Sequence, residues 1–277
     1  MQTPLKKQIK AFIAKYPVLK RNRLYYEVQR FRQLRPCKVD PSLTDRKDIL
    51  AALVRDGLFV MPDLLTREVC GKILAEIEEP LAQLAAGTYK GPATRHKVLD
   101  AYRLHDVDLM SPTARTAFFE LPLINDMARA YVAKSAISYR RECDYKAEGI
   151  HGNQNLQSEL PHFDDWRHRF KAFLYLTDVT ESNAPFVFYP RTHEAGAWKR
   201  RFNAEFERDG EHGRYGYFFP QEMTLLKEKY GFQEQVITGK AGTLILVDTR
   251  GIHRGTTLRE GRRVMLNSTF GIAFDRA

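Results

Sequence analysis

From about residue 136 onward the chain breaks into short apolar runs separated by turn residues, and this spacing narrows the choice of folds more than any other feature. The runs fall at 136–145, 170–178, 185–190, 233–238, 243–248 and 263–274. All are of strand length. In the last, Leu266, Ser268, Phe270, Ile272 and Phe274 recur every second residue, the repeat that places alternate side chains on one face of a strand. The residues before 136 read differently. "DRKDILAALVRDGLFVMPDLL" (45–65) gives a helix, a break at Gly57 and a strand over 58–61. Thr66 caps a helix bearing Val69, Ile73, Leu74 and Ile77, which Pro80 is expected to interrupt. "GTYKGPATRHK" (87–97) reads as a loop, and 111–132 as helices kinked at Pro122. "HDVD" (105–108) reads as surface ahead of a helix. A helical front followed by many short strands predicts a mainly β fold with flanking helices, a barrel or sandwich carrying its helices outside. Residues 195–232, rich in charge and aromatics, are expected to form an insertion or lid.

The charge is unevenly placed. Of the net +10, residues 1–35 supply +9, from ten Lys/Arg against the single acid Glu27, so the rest is near neutral. The same segment repeats apolar residues at helical spacing: Leu5, Ile9, Phe12 and Ile13, then Leu24, Val28 and Phe31. A basic helical extension over 1–45, packed on a single domain over 46–277, is therefore expected. An acidic partner or an oligomer contact through that arm is the other use of its charge. Nucleic acid is not expected, because no aromatic-basic motif of a nucleic-acid module appears. No apolar run reaches the ~18 residues of a membrane span. "MQTPLKKQIKAF" lacks the pattern of a secretory signal, and Cys37, Cys70 and Cys143 are widely spaced, so a reducing cytoplasm is expected.

One cluster carries chemistry. In "ELPHFDDWRH" (159–168), His162 and Asp164 stand two residues apart, on one face if the segment is extended. The run 243–248 ends at Asp248, turns and presents His253, 91 residues after the first histidine. Two imidazoles and one carboxylate are the ligand set of a non-haem ferrous site, with the opposite coordination positions left open. Downstream lie Arg262 and Arg263; strand alternation lets only one point inward, where its planar fork suits a dicarboxylate.

Over residues 46–272 the chain resembles the phytanoyl-CoA dioxygenase family, iron(II)- and 2-oxoglutarate-dependent oxygenases with a double-stranded β-helix (jelly-roll) core. The likeness rests on "LVRDGLFVMPDLLTREVCGKILAEIEE", on "HFD" with "KAFLYLTDVTESNAPFVFYPRTHE", and on "AGTLILVDTRGIHRGT" with Gly261 and Arg263. It implies that His162, Asp164 and His253 bind Fe(II), and that Arg263 holds 2-oxoglutarate, with Arg140 and Asp144 as further co-substrate contacts. Asp165, Trp166 and Arg250 flank the ligands as candidate substrate contacts, and His193 of "PRTHE" matches a histidine that packs. Ala184 stands where the family has the glycine of "NGP", and Arg191–Thr192 where it has "GS". The function implied is hydroxylation of a small molecule using O2, with release of succinate and CO2. Carboxylate Asp164 favours hydroxylation, since halogenating relatives have a small residue there. The alternatives are a non-catalytic binding module of the same fold, or a nucleic-acid demethylase using the basic arm.

Overall fold

The computed structural model describes residues 39–96, 101–148, 160–164, 170–194, 218 and 220–272. Residues 1–38 of the basic arm, and 195–217 and 219 of the expected lid, lie outside the described residues.

Among the described residues, four helices of ten residues or more frame the strands: α1 (Lys47–Asp56), α2 (Arg67–Ala86), α3 (Pro122–Tyr131) and α4 (Pro220–Tyr230). The strands are β1 (Leu58–Met61), β2 (Ala93–His96), β3 (Ala101–Leu104), β4 (Ile137–Ala147), β5 (Phe170–Tyr175), β6 (Phe186–Phe188), β7 (Gln235–Ile237), β8 (Leu244–Asp248), β9 (His253–Arg254) and β10 (Arg262–Gly271). They form two antiparallel sheets, one ordered β1-β8-β5-β10-β4-β3-β2 and a smaller one ordered β7-β6-β9. This is the two-sheet jelly-roll arrangement that the strand spacing and the resemblance imply.

Period-two alternation sorts the core into layers. Phe170, Ala172 and Leu174 of β5 and Leu244 and Leu246 of β8 face the helices, packing with Ile73 and Ile77 of α2 and Ile124 and Met127 of α3. Their strand neighbours Phe173, Tyr175, Ile245 and Val247 point the other way, against Phe186 and Phe188 of the small sheet. A third cluster backs the small sheet, where Val187 and Ile252 pack under Phe218 and the α4 residues Met223 and Leu226. Part of the expected insertion is thus an ordinary packed helix.

Several local expectations are corrected. Helix α2 runs through Pro80 without a break. Proline removes one intrahelical hydrogen bond, but Ile73, Ile77, Leu81 and Leu84 form a continuous buried stripe across it, and the packing prevails. Pro122 does not kink a helix; it begins one, at a position where its missing N–H is not needed. Before it, Arg115–Phe119 form a π-helical turn. Residues 93–96, read as loop, form the edge strand β2.

Where the family carries glycines, this chain holds other residues in glycine's conformation. Ala184 has φ 57° and Arg191 has φ 69°. Gly57 closes α1 at φ 74°, and a Cβ there would meet the His193 ring at 2.5 Å. His193 packs on this corner with Nε2 3.1 Å from Val54 O, consistent with a packing histidine. Ahead of α1, Asp40 N–H donates to Ala130 O at 2.8 Å, which ties this residue to the end of α3. Among the described residues no helix is long and apolar enough to cross a membrane.

Candidate metal centre

His162 and His253 meet across an isolated antiparallel bridge, His162 N–H donating to His253 O at 2.8 Å and His253 N–H to His162 O at 2.7 Å. Residues opposed in this way project to the same side, and the rings lie 4.5 Å apart. Two residues on, Asp164 N–H donates to Thr249 O at 3.0 Å, and its carboxylate joins the rings. One donor atom from each of the three lies within 4.8 Å of the others, and Asp164 Oδ1 is 3.6 Å from His253 Nε2.

Backbone carbonyls set both imidazoles. His162 Nδ1 lies 3.0 Å from Leu160 O and His253 Nδ1 2.9 Å from Gly251 O. A carbonyl only accepts, so Nδ1 carries the proton on each ring and Nε2 presents its lone pair. Burial, reinforced by His253, pushes His162 down to about 4, which keeps it neutral near pH 7. Burial acts to raise Asp164, but Lys171 and the two histidines outweigh it and hold the carboxyl well below its ordinary range. Lys171 Nζ is 2.6 Å from Asp164 Oδ2.

The two arginines separate by register. Arg262 turns outward to Glu78, 2.8 Å away. Arg263 is 6% exposed and donates through one terminal nitrogen to Ala184 O, while its buried Nε has no hydrogen-bond partner. Asp144 also faces inward, accepting from Arg103 Nε at 2.6 Å. Burial pushes Asp144 up, and Arg103, with lesser help from Arg263 and Lys171, holds it below the ordinary range.

The structure does not bring Arg140 to this cluster. It is exposed, its guanidinium 5.9 Å from the Tyr139 ring centroid, on a surface cleft of about 490 Å3 with Asp106, Asp108 and Arg141. Arg140 pairs with Thr269 in step with Glu142 and Asp144, but it stands beside a bulge, where the register shifts between Thr269 and Phe270, on a stretch of β4 that is exposed while Glu142 and Asp144 are buried. Arg250 is likewise not presented to the cluster. It is buried and closes on Asp248, which also accepts from Tyr131 Oη at 2.7 Å, on the helix-facing side of β8. Asp165 and Trp166 lie outside the described residues.

Sequence reasoning missed Lys171, Glu142 and Arg103. A lysine within the apolar run "FKAFLYL" and the alternating acids of "RECDYK" are signals for the first two. Arg103 sits on a strand that the sequence does not announce.

Solved structures share this fold. The non-heme alpha ketoglutarate dependent epimerase SnoN from nogalamycin biosynthesis is 17% identical, with a TM-score of 0.56 over 84% of this chain and 85% of that one. EctD from S. alaskensis, solved with 2-oxoglutarate and 5-hydroxyectoine, is 18% identical, with a TM-score of 0.57 over 87% of this chain and 83% of that one. Identities this low establish the fold alone. The family model for phytanoyl-CoA dioxygenase matches residues 53–263, and the chain belongs to that family. No curated protein matches it significantly.

Proposed function

We propose that this protein is an iron(II)- and 2-oxoglutarate-dependent dioxygenase that hydroxylates a small molecule. The observation that supports this most directly is the convergence of His162, Asp164 and His253 on one side of a strand bridge. The donor set fits a ferrous ion: two imidazoles whose Nδ1 atoms are held by backbone carbonyls, and one carboxylate. Arg263 fits the distal carboxylate of 2-oxoglutarate, because its buried Nε lacks an acceptor that a carboxylate would supply. Iron(II), 2-oxoglutarate and O2 would together supply the oxidation, with succinate and CO2 released.

The chain's own residues then have separable tasks. The Leu160 and Gly251 carbonyls hold the rings in one tautomer and orientation. Lys171 occupies Asp164 Oδ2 and leaves Oδ1 toward the histidines, which favours one-oxygen ligation. Ala184 O fixes Arg263 from behind, while the apolar layer around Phe173, Tyr175 and Phe186 excludes water. With three protein ligands in place no coordination position is given up to a halide, which favours hydroxylation. Buried free thiols at Cys70 and Cys143 suit a reducing cytoplasm.

Anaerobic titration with Fe(II) and 2-oxoglutarate tests the reading. The visible charge-transfer band of the chelate is expected, and alanine at His162, Asp164 or His253 should abolish or greatly weaken it. Retention of the band in all three variants would place the site elsewhere.

A further inference from the structure

The inner face of the large sheet changes character across its width. Toward β8 it is apolar, with Ile245, Val247, Phe173 and Tyr175. Toward β3 it is ionic. Strand register orders the inward residues in rows: Lys171 opposite Thr269, then Phe173–Asn267–Glu142, then Tyr175–Met265–Asp144–Arg103. Glu142 therefore sits one row from Lys171, which touches Asp164. Glu142, Asp144, Asn267 and Thr269 are all buried.

Glu142 is the informative member. It is 3% exposed, and His105 Nδ1 lies 3.0 Å from its Oε1. Its Oε2 accepts no hydrogen bond; Arg103 Nε approaches to 3.4 Å but donates to Asp144 instead. A buried acceptor left without a donor costs about 1–3 kcal/mol. On the sheet face that also carries Lys171, the partner of Asp164, that cost would be removed by a ligand that donates. A hydrocarbon chain cannot do so, and laid against this face it would leave Glu142 Oε2 unpaired.

Resting on the dioxygenase reading, we infer that the substrate is a small hydrophilic molecule that donates a hydrogen bond, from an amine or hydroxyl, to Glu142 Oε2. The long-chain acyl thioester of the family's name does not suit this face.

The test uses the full chain loaded with Fe(II) and 2-oxoglutarate, and measures succinate release with two defined probe pools. One holds free amino acids, small amines and polyols; the other holds palmitoyl-CoA and phytanoyl-CoA. The first pool should stimulate release and the second should not. For the responding compound, Glu142→Gln, which keeps the side-chain shape, should lower kcat/KM about 10- to 100-fold while the chelate band reports a folded, loaded site. Stimulation by the acyl thioesters, stimulation by neither pool, or undiminished turnover in Glu142→Gln overturns the assignment. Absence of the band from the unsubstituted protein overturns the dioxygenase reading instead.

Discussion

Lys171 Nζ sits 2.6 Å from Asp164 Oδ2, while the other oxygen of the same carboxylate points to His253 Nε2 at 3.6 Å. One residue thus divides the carboxylate between an ammonium group and the candidate metal position. Groups that orient ligands in this way change metal affinity by about 10- to 100-fold when removed. Lys171→Met should weaken Fe(II) binding to that extent in a competition titration, and Lys171→Arg should recover much of it. Unchanged affinity in Lys171→Met would show that the contact does not orient the ligand.

The opposed directions of Arg262 and Arg263 give a paired prediction. Arg263→Ala removes a buried charge-assisted partner, and the 2-oxoglutarate requirement should rise about 100-fold with Fe(II) binding intact. Arg262→Ala loses an exposed pair to Glu78, worth about 0–1 kcal/mol, and a contact with Tyr145 on the outer face, and its 2-oxoglutarate requirement should match the parent's. Equal effects would mean that the inward register does not decide co-substrate binding.

Arg250 separates a structural role from a substrate role. Its removal leaves Asp248, which is 0% exposed, short of its counter-charge, at a cost of about 3–5 kcal/mol. Arg250→Met should lower the melting temperature markedly, and adding Asp248→Leu should restore part of it. A variant that melts normally but loses kcat/KM would return Arg250 to the substrate site.

Ala184 and Arg191 adopt left-handed backbone conformations that cost a non-glycine residue about 1–2 kcal/mol. Ala184→Gly and Arg191→Gly should each raise stability by about 1 kcal/mol, read by urea denaturation, after glycine's greater chain entropy is offset. Destabilisation by either substitution would show that the methyl or guanidinium contributes more than the strain removes.

The metal-free protein should weaken in acid. His162 titrates at about 4 when folded against its ordinary 6.5, so between these values the unfolded chain takes up a proton that the folded one refuses. Stability therefore falls as the pH drops through that window, and Asp164, held below its ordinary value, adds a loss in the same direction at lower pH. Chelator-treated protein should lose melting temperature more steeply from pH 6.5 to 4 than its His162→Phe variant does. Parallel slopes would assign the effect to other groups.

How far the sequence spoke depended on the range of the information. β5, β8 and β10 were legible because apolar runs and period-two spacing are local, and so was the His162–Asp164 pair. Cross-strand facts were not. That Asp144 meets Arg103, and Glu142 lies near both, follows from the β3–β4–β10 register, which no single segment encodes. β3 itself, "AYRL", is too short and mixed to stand out from the loop before it. Arg140 keeps the alternation of Glu142 and Asp144 but lies on the exposed stretch of β4 beside a bulge, and neither the exposure nor the bulge shows in the segment alone. The interrupting proline of α2 fell to tertiary packing that a helix rule does not see.

The bridge between His162 and His253 joins positions 91 residues apart through two backbone hydrogen bonds, with that of Asp164 to Thr249 beside them. An ion gripping both side chains would act as a removable cross-link over that whole span, and binding of this kind stabilises the native state by about 2.7 kcal/mol at a hundredfold excess over Kd. Iron supply would then govern the lifetime of the protein as well as its turnover. Molecules made in scarcity would open first along this seam and be the first exposed to proteolysis.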